Sequence, residues 1–184
     1  GFGYQGSASR GNWGREIAEM NIGAELKATL TEPGGWSFGM MGFGEILPHH
    51  ENKITLDKTK TDKWGLNVLS FDCELKDNEL KMRKDMLNDG LEMLEAAGIK
   101  NVSGSDGDGT MGRAIHEMGT ARMGTDPKNS VLNKFNQVWD AKNVFVTDGA
   151  AMASASCVNP SLTYMALTAR AADFAFSELK KGNL

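Results

Sequence analysis

Apolar positions along the chain fall in short runs separated by polar and glycine-rich stretches, and each run has a readable period. Asp77 to Ala97 carries the clearest helical period. Leu80, Lys84, Leu87, Leu91 and Leu94 step by four and three, with Lys84 the one polar intrusion. Asp77 can cap its start, and Gly98 stands where a left-handed C-cap belongs. A second helix is expected to open at Pro160 and run to about Lys181. Its stripe of Leu162, Met165, Ala169, Ala172, Phe176 and Leu179 reads most simply as core packing. A third is expected from Trp13 to about Leu30, with Ile17, Met20, Ile22 and Leu26 roughly on one face, ended by Pro33-Gly34-Gly35.

Shorter runs read as strands. Residues 36–47 (WSFGMMGFGEIL) form one, and its glycines suggest bulges or close packing. Glu51 to Leu56 alternates, Asp57 to Lys63 is a polar loop, and Leu66 to Phe71 is another strand. These neighbouring strands, joined by polar turns, predict an antiparallel sheet. Residues 1–12, rich in Gly and Ser, read as loop, and so do residues 103–112. Asn143 to Thr147 reads as a short buried strand ending at Asp148-Gly149. The order is that of an α+β chain through residue 115. The closing strand-turn-helix cannot close a core alone, so it is expected to pack onto something outside this chain.

Composition narrows the function classes. The chain has 184 residues and a net charge of −4, against the clustered Lys/Arg that nucleic-acid binding uses. No run of 18 apolar residues suggests a membrane span. Cys73 and Cys157 are too few for a disulfide scaffold and are expected as buried free thiols. There are 22 glycines, well above the usual ~7%, and Gly-rich stretches imply tight turns or close backbone approach. The start at Gly1 reads as a processed end or a piece of a longer protein. It hides any export signal and leaves cytoplasm and periplasm both open.

Few residues can carry acid–base chemistry. His116, in HEMGTARMG (116–124), either hydrogen-bonds its own loop or serves as a general base near neutral pH. A zinc-protease helix is excluded, because HExxH would need histidine at Thr120. Asp106 to Glu117 places acids at several positions of a calcium loop, but Met111 stands where the sharp turn needs glycine. Asn159-Pro160 opens the last helix, as a cap alone or as a helix end facing an anion or an electron-rich ring. Asp148-Gly149 is either a plain turn or a cofactor contact at the carboxyl end of a strand. His116 and Asn159 enter from separate loops, one able to accept a proton and the other to donate a hydrogen bond, a pairing suited to oxidising an alcohol.

Three ordered motifs, HEMGTARMG, NVFVTDGAAM and CVNPSLTYMALTARAADF, resemble the C-terminal part of the glucose–methanol–choline (GMC) family of flavin oxidoreductases. Upstream, GEILPHHENKITLDKTKTDKWGLNVLSF is similar to that family's substrate-domain strands, and GFGYQGSASRG to its bacterial sugar-oxidising branch, dehydrogenase or pyranose-oxidase-like. The resemblance implies an α+β substrate-binding domain over residues 1–115, an antiparallel sheet covered by helices. Residues 116–184 would then carry the catalytic His loop and a strand-helix that returns to the FAD-binding domain. It implies oxidation of a CH–OH group of a sugar or polyol by hydride transfer to flavin N5. His116 would be the base and Asn159 the hydrogen-bond partner of the substrate oxygen. Asp148, Gly149, Asn159, Pro160 and Thr163 would lie at FAD, and no metal is implied. The departure is the dinucleotide-binding half. GFGYQG fits the letters of GxGxxG, but no strand precedes it and no apolar helix follows. The expectation is therefore a chain that binds no FAD and turns over nothing without that half, with an electron-acceptor subunit as a further partner. The other reading is a non-catalytic substrate-binding or assembly module.

Overall fold

The computed structural model describes residues 1–11, 22–107 and 109–184. Its elements run β1 (Phe2–Arg10), α1 (Gly23–Thr31), β2 (Trp36–Gly44), β3 (Lys53–Thr61), β4 (Asn67–Asp72), α2 (Asp77–Ala96), β5 (Gln137–Val138), β6 (Ala141–Phe145) and α3 (Ser161–Lys180). The architecture is α+β, as the sequence predicts. Among the described residues the strands form three two-stranded antiparallel sheets, β1–β2, β3–β4 and β5–β6.

The first departure from expectation is residues 1–12. They are not a loop: β1 pairs with β2 in unbroken register from Phe2 opposite Gly44 to Arg10 opposite Trp36. Gly and Ser have low strand propensity, but here packing overrides it. Gly42 and Gly44 lie under α2, where an added Cβ would stand 3.1 Å from Met86 Sδ and 2.6 Å from Met82 Cε. The missing side chains are what let the helix settle on the sheet. Tyr4 fastens the contact, its hydroxyl donating to the Met86 carbonyl at 2.6 Å. The GFGYQG string thus lies along a paired strand, not at a strand-to-helix turn.

β2 therefore pairs with β1 and not with β3, so residues 36–71 form parts of two sheets. β3 also runs through the expected polar loop to Thr61. Its ladder with β4 shifts register between Leu56 and Thr61. There Asp57 Oδ1 accepts from the backbone N–H of Thr59 and Lys60. The turn follows at Asp62–Leu66, with Gly65 at φ +84°.

The helix α2 matches its predicted bounds, and Gly98 adopts φ +80° just beyond it. Its packed surface is wider than the leucine stripe: Leu87, Leu91 and Leu94 are half-buried, with Leu87 and Leu91 against Gly104. Glu79 and Gly90 are buried, Met82 and Met86 lie on the sheet, and Leu80 is 46% exposed. The start is held by Glu79 rather than Asp77, its carboxylate accepting from the Lys76 N–H at 3.1 Å. Of the expected first helix, Gly23–Thr31 is helical; Ile22, expected on its apolar face, is instead its extended, exposed N-cap, and Trp13, Ile17 and Met20 lie outside the described residues.

The C-terminal part has its own small core of Leu132, Ala151 and Ala171. Phe174 of α3 stacks on Phe135 at 4.0 Å and meets Phe145 edge-on. A buried polar cluster completes it. Asn136, at φ +63°, donates from Nδ2 to the Val146 carbonyl and accepts from Arg170. The predicted apolar stripe of α3 is not core here. Leu162, Met165, Phe176 and Leu179 are 58–79% exposed, while Tyr164, Leu167, Ala171 and Phe174 face the chain. β6 is likewise exposed at its centre, not buried. Cys157 is half-buried, but Cys73 is exposed, contrary to expectation. No helix among the described residues is long and apolar enough to cross a membrane.

Candidate active site

His116 sits in a loop that the rest of the C-terminal part holds from one side. Gly119, at φ +87°, lets the chain turn so closely that an added Cβ would be 3.3 Å from the Ala153 carbonyl. The next residues then run beside the turn after β6, with Ala121 N–H donating to the Ala150 carbonyl and Met123 N–H to the Ala151 carbonyl. From the other side, a Cβ on Gly149 would collide with Met118 Sδ at 2.6 Å. Two glycine contacts thus seat His116 over residues 149–153.

Asn159 arrives from the other direction. Ser156, at φ +63°, turns the chain, and Pro160 N-caps α3 by backbone geometry, its carbonyl accepting from Thr163 N–H at 2.9 Å. The Asn159 side chain does not cap the helix. It reaches across to His116, Nε2 to Oδ1 at 3.2 Å. The two residues, 43 apart in sequence, are brought together. His116 Nδ1 is buried and has no hydrogen-bond partner among the described residues.

The remaining predicted residues lie around this pair and beside it. Asp148 N-caps a 3-10 turn over Gly149–Ala151, Oδ1 accepting from Ala150 N–H at 3.0 Å. Pro160 is buried at the head of α3, and Thr163 stands exposed on its first turn. Thr147, Asp148, Tyr164, Met165, Thr168 and Ala169 line an open, mainly apolar depression of about 540 Å³. Thr168 ties its two walls together, Oγ1 donating to the Thr147 and Tyr164 carbonyls. Sequence reasoning missed Thr147, Tyr164 and Thr168. Their signal was the i, i+4 spacing of Tyr164 and Thr168 on the helix that follows the Asp148 turn.

The arrangement supplies an imidazole and an amide in contact, and the turn at Asp148 and the first turns of α3 also wall a concave apolar surface edged by a carboxylate. Residues 48–168 match the family model for the GMC oxidoreductase, over its C-terminal domain. The chain belongs to the GMC oxidoreductase family. Enzymes of this family are FAD-dependent and oxidise alcohol or sugar groups. The chain is 36% identical over 135 residues to a 2-methyl-1,2-propanediol dehydrogenase of Mycolicibacterium austroafricanum, covering 72% of this chain and 24% of that protein. It is 29% identical to the gluconate 2-dehydrogenase flavoprotein of Pantoea cypripedii, over 80% of this chain and 25% of the relative. It is 27% identical to the fructose dehydrogenase large subunit of Gluconobacter japonicus, over 98% of this chain and 33% of the relative. The chain thus spans a quarter to a third of the length of these curated relatives.

The GMC cofactor can be tested against the residues present. The depression offers apolar walls for a flat ring, and the polar edge at Asp148 and the 3-10 turn offers a carboxylate and N–H groups. Pro160 offers no side-chain cap to α3, and with Thr163 N–H given to its carbonyl, the N–H groups of Ser161 and Leu162 are left to favour negative charge nearby. These residues fit one side of a flavin site.

Proposed function

We propose that this chain is the substrate-binding and catalytic-loop portion of an FAD-dependent GMC oxidoreductase acting on a CH–OH group of a sugar or polyol. Residues 1–115 serve the substrate side. Residues 116–184 carry the catalytic loop and complete a cofactor domain whose dinucleotide-binding half is not among these 184 residues. Asp148, Gly149, Asn159, Pro160 and Thr163 would face the flavin. When bound, the flavin supplies the hydride acceptor for the carbinol carbon.

The chain's own residues then handle the oxygen. Asn159 hydrogen-bonds the hydroxyl oxygen and fixes it beside the imidazole. His116 Nε2 takes the hydroxyl proton, so that negative charge on oxygen does not build up uncompensated as the C–H bond breaks. The open end of α3 favours negative charge on a ring placed against it. The observation that carries this reading is the 3.2 Å approach of His116 to Asn159 in a chain of this family.

A second reading holds for the chain by itself: a module that binds no cofactor and is inactive. The exposed apolar face of α3 favours it. The two readings separate in one experiment. An FAD titration of this chain, followed by flavin fluorescence and the visible band, is expected to show no binding. Restoring the upstream polypeptide is expected to give a yellow, active protein, in which His116→Ala keeps the flavin band and loses about 10²–10⁴-fold in kcat. Turnover unchanged by His116→Ala, with flavin bound, would refute the catalytic assignment.

A further inference from the structure

The β1–β2 ribbon has one face that α2 covers and one that the chain leaves open. Alternate residues of a strand point to opposite faces, and residues directly opposite each other share a face. Tyr4, opposite Gly42, points towards α2, where its hydroxyl reaches the Met86 carbonyl. The other face therefore carries Gly3 opposite Phe43, then Gln5, Ser7 and Ser9 opposite Met41, Gly39 and Ser37. Ser9 and Ser37 bond each other, Oγ to Oγ at 3.1 Å. Gln5 and Ser7 are exposed, and their side chains have no hydrogen-bond partner among the described residues. The end of this face lies against the candidate active site. A Cβ placed on Gly3 would stand 3.8 Å from Cys157 Sγ. Cys157 precedes Asn159 by two residues, at most about 7 Å of chain, and Asn159 holds the contact with His116. Gln5 is one step further along the strand face, about 7 Å from Gly3, and Ser7 as far again.

The chemistry of this face differs from that of a strand face simply turned to water. None of its paired residues is charged, in a chain with 24% charged residues. The polar face of β3–β4, by contrast, sets Lys53 opposite Asp72. Met41 stands 63% exposed beside the Gln5 amide, and Phe43 is half-buried beside Gly3. An amide and a hydroxyl without partners, set among apolar side chains and without charge, suit a ligand that offers both hydroxyls and C–H surface. We propose that this face is the substrate floor of the site, on which Gln5 and Ser7 hydrogen-bond the distal hydroxyls of a neutral sugar or polyol while its reacting CH–OH lies at His116 and Asn159. The inference rests on the proposed role of that pair, and it narrows the substrate class. A sugar acid would bring a carboxylate to a face that holds no cation. A short alkyl alcohol would leave Gln5 and Ser7 unused.

Calorimetry on the protein joined to its dinucleotide-binding half tests this without turnover. His116→Ala is the background, because it blocks the chemistry and leaves the floor intact. The probes are a panel of neutral hexoses, pentitols and hexitols, with gluconate as the charged comparison. At least one neutral probe is expected to bind, and to bind more tightly than gluconate. Gln5→Ala with Ser7→Ala is expected to weaken that binding about tenfold or more, with far-UV circular dichroism unchanged. With His116 restored, the same two substitutions are expected to raise KM for that probe by a larger factor than they lower kcat. No neutral probe bound, equal binding by the double variant, or tighter binding of gluconate would overturn the floor. A protein whose binding depends on Gln5 and Ser7 but which oxidises nothing with His116 present would refute the catalytic reading alone.

Discussion

Glu79 is one of the most deeply buried side chains in the described chain, 1% exposed, and it is an acid. Burial by itself would raise its pKa. Hydrogen bonds outweigh burial: Asn78 Nδ2 and Leu47 N–H reach Oε1, and His49 Nε2 and Lys76 N–H reach Oε2, all at 3.0–3.2 Å. Together they hold the carboxyl at about 2 instead of 4.5. One carboxylate thereby clamps the chain after β2 to the start of α2. The shift is equivalent to about 3 kcal/mol of folding free energy. Because the folded pKa is lowered, this stability is present above pH 4.5 and is lost as pH falls through about 2. Glu79→Gln keeps the shape but removes the charge and sets an NH₂ among donors. We expect it to cost about 3 kcal/mol at neutral pH, seen as a Tm lower by roughly 6–12 °C. Urea unfolding of both proteins, followed by far-UV circular dichroism from pH 7 to 2, is the assay. Other carboxylates titrate in both proteins and cancel, so the difference between the two is expected to shrink towards zero at the acid end. A difference that stays constant across that range would show that the ionised carboxylate does not carry the contribution of Glu79, and would refute the reasoning.

Two further outcomes follow from packing. Asn136→Ala removes two hydrogen bonds from a fully buried side chain, leaves Arg170 only the weak Met123 Sδ contact, and places alanine at φ +63°; urea denaturation is expected to show a loss of about 2–4 kcal/mol. Leu162→Ser with Phe176→Ser alters only side chains that are 79% and 58% exposed. Their combined effect on this chain is expected to stay within about 0.5 kcal/mol, while binding of the upstream polypeptide, read by size-exclusion chromatography, is lost.

What the sequence shows clearly is what local periodicity and capping determine. α2 has a long helical period and a glycine at its end, and it appears where predicted. β1 was not legible, because it pairs with β2, 26 to 42 residues further on, in a sheet whose Gly42 and Gly44 lie beneath Met86 and Met82 some 40 residues beyond them, and no local signal records that. The part of α2 that meets the sheet was missed for the same reason: Met82, Met86 and Gly90 suit the glycine-smooth strand, while Leu87 and Leu91 of the legible stripe pack on Gly104. The site was half legible. His116, Asp148 and Asn159 stand out by residue type and context, but the meeting of His116 with Asn159 is decided by Gly119 and Gly149, whose absent Cβ atoms let loops approach.

The two apolar faces of α3 link the fold to the proposed function. One face is used within the chain, through Ala171 and Phe174 on Phe135 and Phe145. The other lies open, and a helix apolar on both sides belongs inside a larger body. The accessible surface agrees: 13601 Å², against about 8,700 Å² for a compact monomer of this mass. Met165 and Ala169 belong both to the open stripe and to the depression beside Asp148. A partner surface that covers the stripe must therefore also wall the depression. Burial of α3, exclusion of water from the site and the strengthening of every charge interaction there become one event. On this reading, the exposure of the helix stripe and the inactivity expected of the chain alone have the same cause.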